Sequence, residues 1–310
     1  GAFRLPSDVL SKRPDLLFIE FAVIDDQDAS HSYADAVRGM EGVVRSALTQ
    51  IPDLDIVITH FVNPSMLQSV EDGKVPLSIK AHEAVAAHYG ISTCNVAIEL
   101  AQRIRSGQTT WKEYGGTHPH PAGNRIAAEL IEQVFDATAN FQPDRRSTAQ
   151  QPLAVESTKQ QTLPAPIDSA SYFAGRFLDR QAIRLGDGWK FDKPQWDALE
   201  GSMRTRFADR KMTFAELPGA TLDFEFNGSA FGLFVLAGPD AGIVEYSVDG
   251  GTWQTANLYH RFSTNLHYPR TIVLGSGLEG GKHKVKLRVS QEKDDRSSGN
   301  AVRVLEFVAS

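Results

Sequence analysis

One short stretch concentrates the residue types that do chemistry: Trp111-Lys112-Glu113-Tyr114-Gly115-Gly116-Thr117-His118-Pro119-His120-Pro121-Ala122-Gly123-Asn124. His118 follows a Gly-Gly pair and precedes two prolines, at the tip of a loop that feeds a helix. Function concentrates on such tips because rigid flanking elements hold them in place. Pro119 and Pro121 restrict the backbone on the C-terminal side of the ring. An imidazole placed this way can move a proton near neutral pH or ligate a metal. A zinc site needs three or four ligands converging within about 2 Å of the ion. His118-Pro119-His120 supplies a pair, and His60, His82 and His88 are further imidazoles. However, His82-Glu83 is followed by Ala86 where a zincin helix carries histidine. His88, six residues beyond His82, falls on a different helical face. Proton transfer is the stronger reading.

The elements that must hold this loop alternate strand and helix up to about residue 140. Leu16-Leu17-Phe18-Ile19-Glu20-Phe21-Ala22-Val23 is a near-continuous apolar run, as expected of a strand covered on both faces. Ala34, Val37, Met40, Val44, Ala47, Leu48 and Ile51 recur every three or four residues and predict a helix with one core-facing stripe. Residues 55–62 predict a second strand, and residues 79–89 a helix that ends at Gly90. A third strand near 91–96 and a helix near 97–105 follow. The last helix starts at Pro121, a favoured first-turn position, and buries Ile126, Ala127, Leu130, Ile131 and Val134. Such alternation predicts a parallel sheet with right-handed crossovers, an α/β domain over residues 1–141.

Residues 142–167 change to Gln, Ser, Thr and Pro, the composition of a linker or of an ordered strap. From 168 to 310 the period becomes two. Leu222/Phe224/Phe226, Val244/Tyr246/Val248, Val285/Leu287/Val289 and Val302/Val304 alternate with polar or small residues. Asp249-Gly250-Gly251 and Gly280-Gly281 fall where hairpin turns need positive φ. This predicts an antiparallel all-β sandwich. Trp253, Tyr259, His260, His267 and Tyr268 are its candidates for a sugar-stacking surface, set against the aromatics that any sandwich core uses.

Composition narrows the partners. With 32 Lys and Arg against 38 Asp and Glu among 310 residues, the net charge is −6 and no long basic run occurs. Nucleic acid and anionic membrane surfaces are therefore disfavoured. No apolar stretch approaches the roughly 18 residues of a membrane span, and the opening Gly1-Ala2-Phe3-Arg4-Leu5-Pro6 has no signal-peptide pattern. Cys94 is the single cysteine, which excludes an intrachain disulfide and a Cys-based zinc cluster.

Gly116-Thr117-His118-Pro119-x-Pro121-x-Gly123 resembles the last block of the SGNH/GDSL hydrolases, in which the histidine before proline is the general base. Two further stretches agree in order and spacing. Residues 19–26, Ile-Glu-Phe-Ala-Val-Ile-Asp-Asp, resemble the strand-end block that normally closes on Asn-Asp. Residues 82–91, from His82 to Ile91, resemble a helix-to-strand passage of one esterase subgroup. The resemblance covers roughly residues 1–140. It implies a flavodoxin-like three-layer domain and a serine-type carboxylic-ester hydrolase, one that acts on acetyl or short acyl groups of a small ester or acylated carbohydrate. It implies no cofactor, and a secreted or periplasmic location. The β-sandwich resembles, in strand pattern only, jelly-roll domains that accompany acetyl-esterases of this kind.

Three departures from the pattern set the alternative. No Gly-Asp-Ser nucleophile block occurs in the 310 residues, and the first strand here matches the family's third. The domain is thus expected to lack its first strands, with an upstream segment or a partner chain completing the sheet and supplying the serine. Ile24 stands where the family has its oxyanion Asn, and Gly115 where it has an Asp three residues before the histidine. Glu113 is then the candidate stand-in that orients His118. The alternative reading is a catalytically inactive SGNH-like scaffold whose sandwich domain binds glycan or protein.

Overall fold

The computed structural model describes residues 1–139 and 163–310, so most of the expected 142–167 linker or strap lies outside the described residues. The chain divides into two compact units, Gly1–Phe173 and Ala174–Ser310. The first is a mixed α/β unit and the second is antiparallel β.

In the first unit, a short helix α1 (Leu5–Asp8) leads to strand β1 (Leu16–Ile19). Helix α2 (Tyr33–Gln50) starts on Ser32, whose Oγ accepts from Asp35 N at 3.2 Å and so satisfies one of the first-turn donors. Its buried stripe runs through Val37, Met40, Val44 and Ala47. Strand β2 (Asp55–His60) is buried almost throughout. Asn63 then caps α3 (Pro64–Glu71) by accepting from Met66 N at 2.9 Å, with Pro64 in the first turn. Helix α4 (Leu77–Tyr89) ends at Gly90 in the left-handed region. Strand β3 (Ser92–Asn95) runs directly into α5 (Val96–Arg105), which Asn95 caps. Helices α6 (Trp111–Tyr114) and α7 (Pro121–Ala139) complete the series.

The strands pair in parallel in the order β1-β2-β3, with Leu17 opposite Ile56 and Thr59 opposite Cys94. β1 has a neighbour on one side only among the described residues, and Phe18 on it is 41% exposed. Helix α2 packs on α4, and α5 packs on α3 and α7. One core cluster joins Ala22, Val62, Leu100, Tyr114 and Ile126, each large apolar member contributing about 2 kcal/mol by leaving water.

Residues 163–173 lie against α2 and α4 in this unit. Fully buried Glu41 accepts from Ile167 N (2.6 Å), Asp168 N (3.0 Å) and Tyr89 Oη (2.7 Å). Arg45 donates to Pro164 O at 2.6 Å, His88 Nε2 to Ala165 O at 2.8 Å, and Arg38 to Asp168 at 2.8 Å.

The second unit comprises strands β4 (Arg176–Phe177), β5 (Ile183–Leu185), β6 (Lys190–Asp192), β7 (Met212–Ala215), β8 (Thr221–Gly228), β9 (Phe231–Ala237) and β10 (Ile243–Val248). It continues with β11 (Gln254–Asn257), β12 (Tyr268–Gly275), β13 (Gly281–Val289) and β14 (Val302–Ala309). One sheet has the order β11-β10-β13-β8-β5. The other has β12-β9-β14-β7-β6, with β4 also on β14. Their facing sides share one core, in which Phe224, Phe231 and Phe307 meet edge to face. Asp249 and Gly250 both take positive φ, as the β10–β11 hairpin requires. The expectation for Gly280-Gly281 fails: neither is in the left-handed region, and the positive φ before β13 belongs to Gly277.

Candidate active site

Three local devices build the His118 loop. Helix α6 opens on an N-cap in which Thr110 Oγ1 accepts from Glu113 N (3.2 Å) and donates to Glu113 Oε2 (3.1 Å). It stops at Gly115, whose φ is +108°. His120 N then donates to Tyr114 O at 2.8 Å, closing residues 115–119 into a loop just ahead of α7. Tyr114 is fully buried and stacks on Trp111, with ring centroids 5.5 Å apart, which pins the base of the loop. Trp111 therefore anchors the loop. His118 is exposed, and its ring has no hydrogen-bond partner among the described residues. Such a ring is open to an incoming hydroxyl.

The base of the loop meets the carboxyl end of β1. Tyr114 shares a core cluster with Ala22 and Val23, and lies within electrostatic reach of Glu20. Burial raises the Tyr114 phenol, and the Glu20 charge raises it further. Burial likewise raises the Glu20 carboxyl, against the pull of nearby backbone N–H groups and His60. The rim at the carboxyl ends of the strands is where open α/β sheets bind ligands.

Glu113 is not brought to His118. Its carboxylate is engaged by Thr110, and no hydrogen bond joins it to the imidazole among the described residues. Position 115 cannot take an Asp without rearrangement. A Cβ there falls 2.2 Å from His120 N and 2.4 Å from its ring, and the backbone is left-handed. Ile24, at the expected oxyanion position, is 46% exposed and opens a π-helical turn, Ile24–Asp28.

That turn carries a buried network that sequence reasoning missed. Residues 25–28, Asp-Asp-Gln-Asp, have the composition of a solvated turn, yet Asp25 is buried. Its Oδ2 accepts from His82 Nε2 at 2.9 Å, and its Oδ1 lies 3.2 Å from His31 Nδ1. Burial alone would raise the Asp25 carboxyl; His31 and His82 outweigh it and hold the group below its ordinary value. Alongside, fully buried His60 stacks on His82 with centroids 6.0 Å apart. His60 Nε2 approaches Glu83 Oε1 to 2.9 Å, off the line of a hydrogen bond, and this contact lowers the Glu83 carboxyl. Asp26 accepts from Asn63 at 2.8 Å. The partners are up to 57 residues apart in sequence, and only the apolar run before Asp25 hinted at its burial. Among the described residues no three His, Cys, Asp or Glu side chains converge as a metal site. Cys94 is buried, which raises its thiol.

Of the five sandwich residues read as a stacking surface, Tyr259, His260 and His267 are buried and Tyr268 is half-buried. Trp253 is exposed, with the Arg288 guanidinium 4.3 Å from its ring centroid.

An α/β unit with a histidine loop at its strand-end rim, followed by a two-sheet antiparallel unit, is the class of fold these observations define. No protein-family model and no curated protein matches the chain. Among solved structures it is similar to a two-domain esterase (CEX) active on acetylated mannans, co-crystallised with mannopentaose. The identity is 18% and the TM-score 0.71, over 100% of this chain and 75% of that one. A second crystal structure of a two-domain esterase (CEX) active on acetylated mannans gives 18% and 0.71, over 99% and 76%. At this identity the likeness shows a shared two-domain fold.

Proposed function

We propose that the chain is part of a serine-type carboxylic-ester hydrolase of SGNH/GDSL kind that removes acetyl or short acyl groups from carbohydrate, with His118 as its general base. The observation that carries this reading is the exposed His118 imidazole, without a hydrogen-bond partner among the described residues, on a loop closed by the His120–Tyr114 bond. The ordered motif resemblance, and the fold shared with an esterase active on acetylated mannans, support it. In this reading the α/β domain is flavodoxin-like over residues 1–141, residues 142–167 connect, and the sandwich over 168–310 is a jelly roll.

A serine Oγ attacks the acyl carbonyl carbon as His118 accepts the hydroxyl proton. The tetrahedral intermediate collapses, and the same imidazole protonates the leaving sugar oxygen. Water then repeats the cycle on the acyl-serine, with the proton returning to serine. Ile24 offers no side-chain donor, so backbone N–H groups hold the oxyanion. The serine comes on a strand added at the free edge of β1, from another segment or a partner chain; the exposed Phe18 and the single neighbour of β1 support that placement.

Ile24 and the filled space at Gly115 favour the second reading, an inactive scaffold. A fluorophosphonate probe separates the two. Covalent labelling of a serine, with p-nitrophenyl acetate hydrolysis that is lost in His118→Ala, is the expected result. Absence of both labelling and turnover in the assembled protein leaves the scaffold.

A further inference from the structure

The face of β12 turned toward the other sheet carries Tyr268, Arg270, Ile272 and Leu274. This follows from the register, which sets Tyr268, Arg270 and Ile272 opposite Ala237, Val235 and Leu233, all core residues of β9. An arginine does not belong in that row on packing grounds. β12 is the outermost strand of its sheet and β11 of the facing one, so Arg270 sits at the open side of the sandwich. Tyr246 ties this side together, its Oη lying 2.6 Å from Leu274 O and 2.9 Å from Gln254 Oε1.

Arg270 is half-buried, and no carboxylate, carbonyl or hydroxyl accepts from it among the described residues. Burial, opposed in part by Tyr268, holds its guanidinium below the ordinary arginine value. Arg303 of the same unit, by contrast, is fully buried but grips both oxygens of Asp240 at 2.7 Å. Beside Arg270 the β11–β12 connection folds back as an aromatic wall. His260 stacks on Tyr268 (4.7 Å, 16°), and Phe262 meets Tyr268 edge-on (5.3 Å, 61°) while remaining 41% exposed. A half-buried guanidinium in an apolar row, with no protein acceptor among the described residues, keeps its donors available to a ligand.

We propose that Arg270, with Tyr268 and Phe262, forms a binding site for a carboxylate-bearing sugar. The planar guanidinium offers paired donors that match a carboxylate, and the rings take the apolar face of a pyranose. A simple anion has no face to stack, and a neutral sugar has no charge to meet the guanidinium. The site is independent of the hydrolase reading, because its test measures binding rather than turnover.

Isothermal titration of the full chain with D-glucuronate, D-glucose and acetate decides it. Glucuronate is expected to bind at least about tenfold more tightly than the other two, the loss of one charged hydrogen-bonded pair being that large. Arg270→Gln should abolish the preference while leaving the unliganded melting temperature unchanged or raised, since an unpaired desolvated charge is removed. Phe262→Ala, a change at an exposed ring, should weaken glucuronate binding several-fold and decides the matter if Arg270→Gln fails to fold. Absence of glucuronate binding, acetate binding as tightly as glucuronate, or undiminished binding by Arg270→Gln each overturns the site.

Discussion

Two groups of imidazoles in the α/β unit live under opposite conditions. His60 and His82 are sealed from water, stacked on one another, each beside a carboxylate. His118 stands in solvent on a short closed loop, with nothing bonded to its ring among the described residues. In the first arrangement the hydrogen bond from His82 Nε2 to Asp25 ties α4 to the turn after β1. The second leaves the ring open to solvent. Burial separates the two kinds of histidine here, and proximity to the strand ends does not.

Exchanging the residues tests that contrast most sharply. His118→Ala should lower ester hydrolysis about 10²- to 10⁴-fold, the usual worth of a general base, while shifting urea-unfolding stability by less than about 0.5 kcal/mol. Asp25→Ala should do the reverse in stability, costing about 3 kcal/mol as His31 and His82 lose their common acceptor. If Asp25→Ala unfolds at the wild-type urea midpoint, the buried cluster is not structural. Gly115→Asp, which places an acid where the SGNH/GDSL pattern carries one, should cost about 1–3 kcal/mol through its left-handed backbone and the clash with His120, without raising turnover. A gain in turnover would show that the loop can reopen around an acid.

The smallest effect is that of pH. Asp25 and Glu83 are held below their ordinary values of 3.8 and 4.5, so their contribution is complete above those values and is lost as pH falls below them. Glu20 is raised, so its contribution has the opposite sense, present in acid and lost as pH rises through its raised value. The two lowered groups against one raised predict a melting temperature that declines below about pH 4.5, more shallowly in Asp25→Asn. Thermal melts across that range check it; a profile that is the same in wild type and variant removes Asp25 from the linkage.

Much of the framework is legible because it rests on local periodicity. The helix read from Ala34 to Ile51 is observed as Tyr33–Gln50, and the strand read over 55–62 as Asp55–His60. Gly90 and Pro121 mark helix ends through backbone restrictions that the residue itself carries. Helix α3 escapes such a reading although Asn63-Pro64 announces it, since its apolar stripe is short. The site is less legible for a different reason. The His118 loop can be read from its glycine and proline residues, but the burial of Asp25 depends on an imidazole 57 residues away. Gly115 is dictated by the His120 ring across the loop, and Glu113 is drawn to Thr110 by a cap competing with any catalytic role. The free edge of β1 depends on which strands adjoin, which periodicity does not encode.

Glu41 carries a consequence for how the chain is made. Its carboxylate sits in the middle of α2, yet two of its donors are the amides of Ile167 and Asp168, more than 120 residues later. During synthesis the chain up to α7 emerges first, and domains generally fold in that order. Until the later amides arrive, Tyr89 is this acid's one donor among the described residues, and its remaining lone pairs must stay hydrated. The groove between α2 and α4 therefore closes last, so a ribosome paused before residue 167 holds a nascent domain with one wet seam.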